Sequence, residues 1–341
     1  MNALDKLLNA QSKAKSMICL GLDLDPKRMP SEYTRNAKGM FDFALQIVEA
    51  TKDVVCAYKP NLAFYESYGY DGISLLRMIV DRIPKDVPVI IDAKRGDIGN
   101  TASHYAKAVF EGLGGDWVTL SPYMGYDSLR PFLEYKDKGV FILCLTSNSG
   151  SKDFQMLDVS GKPLYHVVAE KVAYWNKTGN CGLVIGATAP EQLKEIRAVA
   201  DDMPLLIPGV GAQGGSLEQA AEYGTDGFNK PAVINVSRSV LYASKDQDFA
   251  TKARAELIKL NSAVSHIRGG DVAPPSEPVS PGSTSSGTVV SVSAELSPEE
   301  PAASVEPLPQ PPALNNAESV PEESATSVEP SSPPPSPPED S

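Results

Sequence analysis

A chain of 341 residues has room for one large domain or two ordinary ones, and its formal charge of −12 first suggests an acidic protein. The charge is unevenly spread: residues 269–341 hold twelve Asp and Glu and no Lys or Arg, leaving 31 acidic against 31 basic residues in 1–268. A body of zero net charge gives no reason to expect nucleic acid or an anionic membrane as partner. No apolar leader and no run of eighteen apolar residues occurs, which points to a cytoplasmic protein.

In chain order, residues 4–16 read as a short amphipathic helix. Short apolar runs then recur, most of them followed by a stretch of helical character. The runs are 17–23 (MICLGLD), 54–59 (VVCAYK), 87–94 (VPVIIDAK), 117–121 (WVTLS), 140–146 (VFILCLT), 182–186 (GLVIG), 204–210 (PLLIPGV) and 232–238 (AVINVSR). They are almost continuously apolar rather than alternating, as parallel strands covered on both faces require. Helical stretches are 41–51, 73–82, 103–113, 164–175, 190–199 and 217–223, with a last helix over 249–267. Eight such units in 1–268 predict an α/β fold of the (β/α)8 TIM-barrel type.

Residues 269–341 carry 17 of the 29 prolines and no aromatic residue. Such a segment cannot bury enough apolar surface to offset its ordering entropy, so the composition predicts a disordered acidic tail with local polyproline character. The four cysteines, Cys19, Cys56, Cys144 and Cys181, lie in apolar runs without paired spacing. They read as reduced core residues, and the three scattered histidines show no zinc-ligand spacing.

In this fold, chemistry sits at the carboxyl ends of the strands. Those ends present Asp23, Lys59, Asp92 with Lys94, Ser121, Thr146 with Ser147, Gly209 to Gly215, and Ser237 with Arg238. Side chains at i and i+2 of a strand share a face, so Asp92 and Lys94 should point the same way, and a glycine-broken turn then carries Asp97. A bare D-x-K-x-x-D is ordinarily a surface salt bridge; its place at the end of the third strand of a barrel favours chemistry. Strands seven and eight lead into Gly209-Val210-Gly211-Ala212-Gln213-Gly214-Gly215 and Ser237-Arg238, the usual phosphate end of such barrels. Residues 209–214 also match G-x-G-x-x-G. A dinucleotide site would open a βαβ unit and have an acidic residue at the end of the next strand, where Arg238 stands instead.

With these pieces placed, the chain resembles the orotidine 5'-phosphate decarboxylases in their longer bacterial form. The matching motifs are L-G-L-D (20–23), Y-K-P-N (58–61), D-A-K-R-G-D-I-G-N-T (92–101), T-S-N (146–148), P-G-V-G-A-Q-G-G (208–215) and N-V-S-R (235–238). The resemblance implies conversion of orotidine 5'-monophosphate to UMP and carbon dioxide, the last step of pyrimidine biosynthesis, without metal or organic cofactor. It implies a charged array of Lys59, Asp92, Lys94 and Asp97, with Lys94 protonating carbon 6 and Asp92 against the substrate carboxylate. Asp23, Lys59 and Thr101 would hold the ribose hydroxyls, Ser147 would read the pyrimidine, and Gln213 and Arg238 would bind phosphate. Asp97, Ile98 and Thr101 would reach into the site of a second subunit of a homodimer. Residues 148–165, long for a βα loop, read as a lid.

Two rival readings remain at this level. One is a Mg²⁺-dependent decarboxylase of the 3-keto-gulonate 6-phosphate type, which resembles the chain at D-x-K-x-x-D but carries a glutamate where Lys59 stands. The other is an inactive barrel that presents the tail.

Overall fold

The eight expected strands all form, and they make one sheet that closes on itself. The computed structural model describes residues 1–211, 214–227 and 230–267. The expected tail, 269–341, lies outside the described residues. The strands are β1 (Ile18–Gly21), β2 (Ala57–Lys59), β3 (Ile90–Arg95), β4 (Trp117–Leu120), β5 (Gly139–Leu145), β6 (Cys181–Ile185), β7 (Leu205–Pro208) and β8 (Ala232–Val236). Every pairing is parallel, from β2 through β1, β8, β7, β6, β5 and β4 to β3. Parallel bridges Tyr58–Val89 and Asn61–Asp92 join β2 to β3 and complete the barrel.

Strand periodicity divides the interior into layers. Ala57, Ile90, Trp117, Phe141 and Val233 point into the barrel and pack with Cys19, Cys56, Val184 and Leu206. Trp117 and Phe141 stack with ring centroids 4.6 Å apart. The N-terminal helix, Ala3–Ala14, closes the floor: Ala3 and Leu7 join this inner cluster, and the Trp117 indole donates to the Ala3 carbonyl at 3.3 Å. The residue two positions beyond each of the five inward side chains is Lys59, Asp92, Thr119, Leu143 or Asn235, and all five line the cavity at the opposite mouth. One periodicity thus builds the plug and then the floor of the site.

Several helices differ from expectation. Tyr126–Leu133, between β4 and β5, is a helix that the sequence did not announce, because Pro131 inside it reads as a breaker. The expected helix 103–113 begins at Gly99, runs to Lys107 and continues as a π-helical turn, Ala108–Gly112. The stretch 148–165 is built rather than open loop, with a 3-10 turn, Ser149–Asp153, and a short antiparallel hairpin pairing Asp158–Val159 with Lys162–Pro163. All four cysteines are buried free thiols. Among the described residues no helix is long and apolar enough to cross a membrane.

Candidate active site

The mouth of the barrel at the carboxyl ends of the strands holds a cavity of about 390 Å³. Asp23, Lys59, Asp92, Lys94, Ser147 and Arg238 all line it, as do Thr146 and the start of the glycine loop. Its wall on the β5–β7 side is apolar, with Leu143, Val184, Leu206 and Pro208. Its wall on the β2–β3 side is charged.

Asp92 is the centre of that charged wall. Oδ1 accepts from the Lys94 ammonium at 2.6 Å and from the Thr119 hydroxyl at 2.8 Å; Oδ2 accepts from the Lys59 ammonium at 2.9 Å. Burial alone would raise the Asp92 pKa, but the Lys59 and Lys94 ammoniums outweigh it and hold the carboxyl well below the ordinary carboxylate range. Burial alone would lower Lys59; the carboxylates of Asp92 and Asp23 outweigh it and hold the ammonium above its ordinary range. The two lysines are not equivalent. The Lys59 side chain is 5% exposed and locked against Asp92, whereas the Lys94 side chain is 48% exposed and faces the open cavity.

Asp92 and Lys94 meet, though not through a regular pleat. The β3–β4 register shifts between Ile91 and Arg95, so Asp92, Ala93 and Lys94 stand opposite Thr119 alone. Lys94 has φ of 48°, in the left-handed region that costs a non-glycine residue roughly 1–2 kcal/mol. Such bulges re-aim side chains beside functional sites. Here the Lys94 ammonium turns into the cavity while Arg95 points outward to Glu66.

Around this centre, the Asp23 carboxylate accepts from Ser237 through Oδ2 at 2.8 Å. Ser147 packs closely over Gly186, where a Cβ would lie 3.0 Å from the Ser147 Cβ and backbone nitrogen, so a side chain there would press on Ser147. The Thr146 hydroxyl is engaged by Asn148 at 2.6 Å and by the Gln155 amide at 2.9 Å. Gln155 thereby ties the 148–165 segment to the end of β5. Gly209, Gly211 and Gly214 take positive φ of 100°, 71° and 88°, and Gly215 N–H closes on the Gly209 carbonyl at 3.1 Å. Arg238 follows the end of β8 and faces the same mouth.

Asp97, Ile98 and Thr101 do not line the cavity of their own chain. Asp97 Oδ1 accepts from the Ile98 backbone at 2.8 Å, and Ile98 and Thr101 are exposed. Gln213 lies outside the described residues. At the end of β4, Thr119 and not the expected Ser121 enters the site. Asn61, Thr119 and Asn235 line it without having been singled out; for Thr119 and Asn235 the available signal was their place two residues beyond an inward-facing core residue. Burial pushes the Cys19 thiol beneath the site up to about 12, so it is no nucleophile at neutral pH.

A sequence profile described as "Orotidine 5'-phosphate decarboxylase / HUMPS family" matches residues 16–253. The chain is 48% identical over 272 residues to the orotidine 5'-phosphate decarboxylase of Dehalococcoides mccartyi strain BAV1, covering 79% of this chain and 99% of that protein. It is 46% identical over 270 residues to that of Ralstonia pickettii strain 12J, covering 79% and 100%. Among solved structures, the OMP decarboxylase of Leishmania donovani superimposes with a TM-score of 0.68 at 38% identity, over 79% of this chain and 100% of that one. The profile spans well over half of the chain, and the barrel and its charged mouth agree with it. The chain therefore belongs to the orotidine 5'-phosphate decarboxylase / HUMPS family.

Proposed function

We propose that this chain decarboxylates orotidine 5'-monophosphate to UMP, and that Lys94 is the proton donor. The Lys59–Asp92–Lys94 array carries the reading. When the bond between carbon 6 and the carboxylate breaks, its electron pair stays on carbon 6 and carbon dioxide leaves. A fixed ammonium at that point stabilises the charge as it develops, with no reorganisation cost. It then gives its proton to carbon 6 and is reprotonated from solvent. Two unit charges about 4 Å apart at an effective dielectric near 20 interact by roughly 4 kcal/mol, whereas proficient enzymes lower barriers by up to about 23 kcal/mol. Repulsion between Asp92 and the substrate carboxylate therefore cannot be the main contribution; stabilisation of the developing charge by Lys94 acts together with binding energy from the remote phosphate.

In this reading phosphate sits against Arg238 and the Gly209–Gly215 loop, and Ser147 reads the pyrimidine while Thr146 stays committed to Gln155. Asp23 and Lys59 hold the sugar. Asp97, Ile98 and Thr101, which stand outside their own cavity, complete the site of a partner subunit in a homodimer. The four buried thiols favour a reducing, cytoplasmic setting. Lys59 also separates this reading from a Mg²⁺-dependent sugar-phosphate decarboxylase, because its ammonium, held at Asp92, repels a cation from the end of β2. The test is to follow the absorbance of orotidine 5'-monophosphate with purified protein and excess EDTA. Turnover should persist; loss of turnover that Mg²⁺ restores would favour the rival.

A further inference from the structure

The side-chain amide of Gln155 grips Thr146 at two points. Its Oε1 accepts from the Thr146 backbone N–H at 2.8 Å, and its Nε2 donates to the Thr146 hydroxyl at 2.9 Å. Thr146 is the first residue beyond β5, and Gln155 gives its N–H the acceptor that a neighbouring strand no longer offers. The base of the grip is itself held. The Gln155 N–H donates to the Ser151 carbonyl at 2.8 Å, and the Gln155 carbonyl accepts from the Tyr165 N–H at 2.9 Å. Tyr165 is buried; its carbonyl accepts from the Cys144 thiol on β5 at 3.1 Å, and its hydroxyl donates to Glu195 at 2.9 Å, on the helix Pro190–Ala200.

Gln155 does not line the cavity, whereas Ser147, the residue after Thr146, does. Ser147 packs closely over Gly186 just beyond β6. Its backbone is therefore confined between Gly186 and the gripped Thr146. A side chain that reads a ligand must be held to within about 0.5 Å, which calls for support by further hydrogen bonds. Two bonds from one amide to the preceding residue supply that support.

We propose that Gln155 is a positioning residue of the reaction: by gripping Thr146 it fixes the place of Ser147 against the pyrimidine. This rests on the assignment of Ser147 to the base made above, and it gives the folded 148–165 segment a part in base recognition. The test compares binding of UMP and of ribose 5-phosphate, which lacks the base, by titration calorimetry. Ser147→Ala should weaken UMP by roughly fivefold to tenfold, the worth of one neutral hydrogen bond. Gln155→Leu should weaken it by at least about threefold and no more than Ser147→Ala does. Neither variant should change binding of ribose 5-phosphate. The double variant should bind UMP no more weakly than Ser147→Ala alone, because Gln155 acts only through Ser147. Gln155→Asn, which keeps the amide but is one methylene too short to reach Thr146, supplies the same comparison if the leucine variant melts early. Unchanged UMP binding in both Gln155 variants, equal weakening of both ligands, or losses that add in the double variant would overturn the role of Gln155. Ser147→Ala without effect on UMP would instead overturn the pyrimidine reading, and the proposal with it.

Discussion

The backbone N–H of Lys94 donates to the Thr119 hydroxyl at 2.9 Å, and that hydroxyl donates in turn to Asp92 Oδ1 at 2.8 Å. One threonine on β4 thus holds both the bulge of β3 and the carboxylate that the bulge serves. The left-handed backbone of Lys94 is stabilised from across the sheet, and its ammonium is aimed by that backbone.

Strain at Lys94 can be separated from its charge. Lys94→Ala and Lys94→Gly both remove the ammonium and should both lower kcat by at least about a hundredfold, the scale of a lost transition-state contact. They should differ in stability. Glycine accepts the positive φ and alanine does not, so Lys94→Gly should be more stable by up to about 1 kcal/mol in chemical denaturation. Equal stability, or a more stable alanine variant, would show that the backbone at 94 stores no strain.

The depressed carboxyl of Asp92 sets a pH window. Its ionised form is favoured by folding, so its contribution is present above the ordinary carboxylate pKa of about 4 and is lost as pH falls through the lower folded value. Lys59, held above its ordinary range, contributes fully below about 10.4 and loses that contribution only at higher pH. Asp92→Asn leaves Lys59 buried without its partner and should cost about 3–5 kcal/mol near neutrality. The difference in melting temperature between wild type and Asp92→Asn should shrink as pH falls below about 4. A difference that already shrinks as pH falls from about 7 to 5 would mean that Asp92 titrates there.

Arg238 bears on the phosphate. Arg238→Ala should reduce kcat/KM for orotidine 5'-monophosphate by roughly tenfold to a hundredfold, the worth of a charge-assisted hydrogen bond, and hardly change that for orotidine. Equal losses on nucleotide and nucleoside would remove Arg238 from the phosphate site.

The outward position of Asp97 leads to a subunit-mixing experiment. Lys94→Ala and Asp97→Ala homodimers should each be nearly inactive. Unfolding, mixing equally and refolding should place about half of the chains in mixed dimers, where one site carries both substitutions and the other neither. Activity should return to about a quarter of wild type on random association. Mixed dimers confirmed by mass, with no recovered activity, would give Asp97 a role within its own subunit.

What the sequence determined by itself is the class of the fold and the positions of most of the site. The alternation of a strand is covalent and local, so an apolar run ending at Lys59 or Asp92 already states which side chains turn inward, and eight such runs state how many strands must close. The tertiary structure decided the rest, because those features depend on what stands opposite. Lys94 reaches Asp92 through a bulge set by the β3–β4 register and by the Thr119 hydroxyl, neither of which is visible along β3 alone. Thr119 takes the place of Ser121 because it stands opposite the bulge of β3, where its hydroxyl bonds Asp92. Helix Tyr126–Leu133 forms despite Pro131 because Leu129, Phe132 and Leu133 are buried on the barrel, which outweighs a local propensity. Periodicity along one strand is written in the chain, whereas register between strands arises only when distant segments pack.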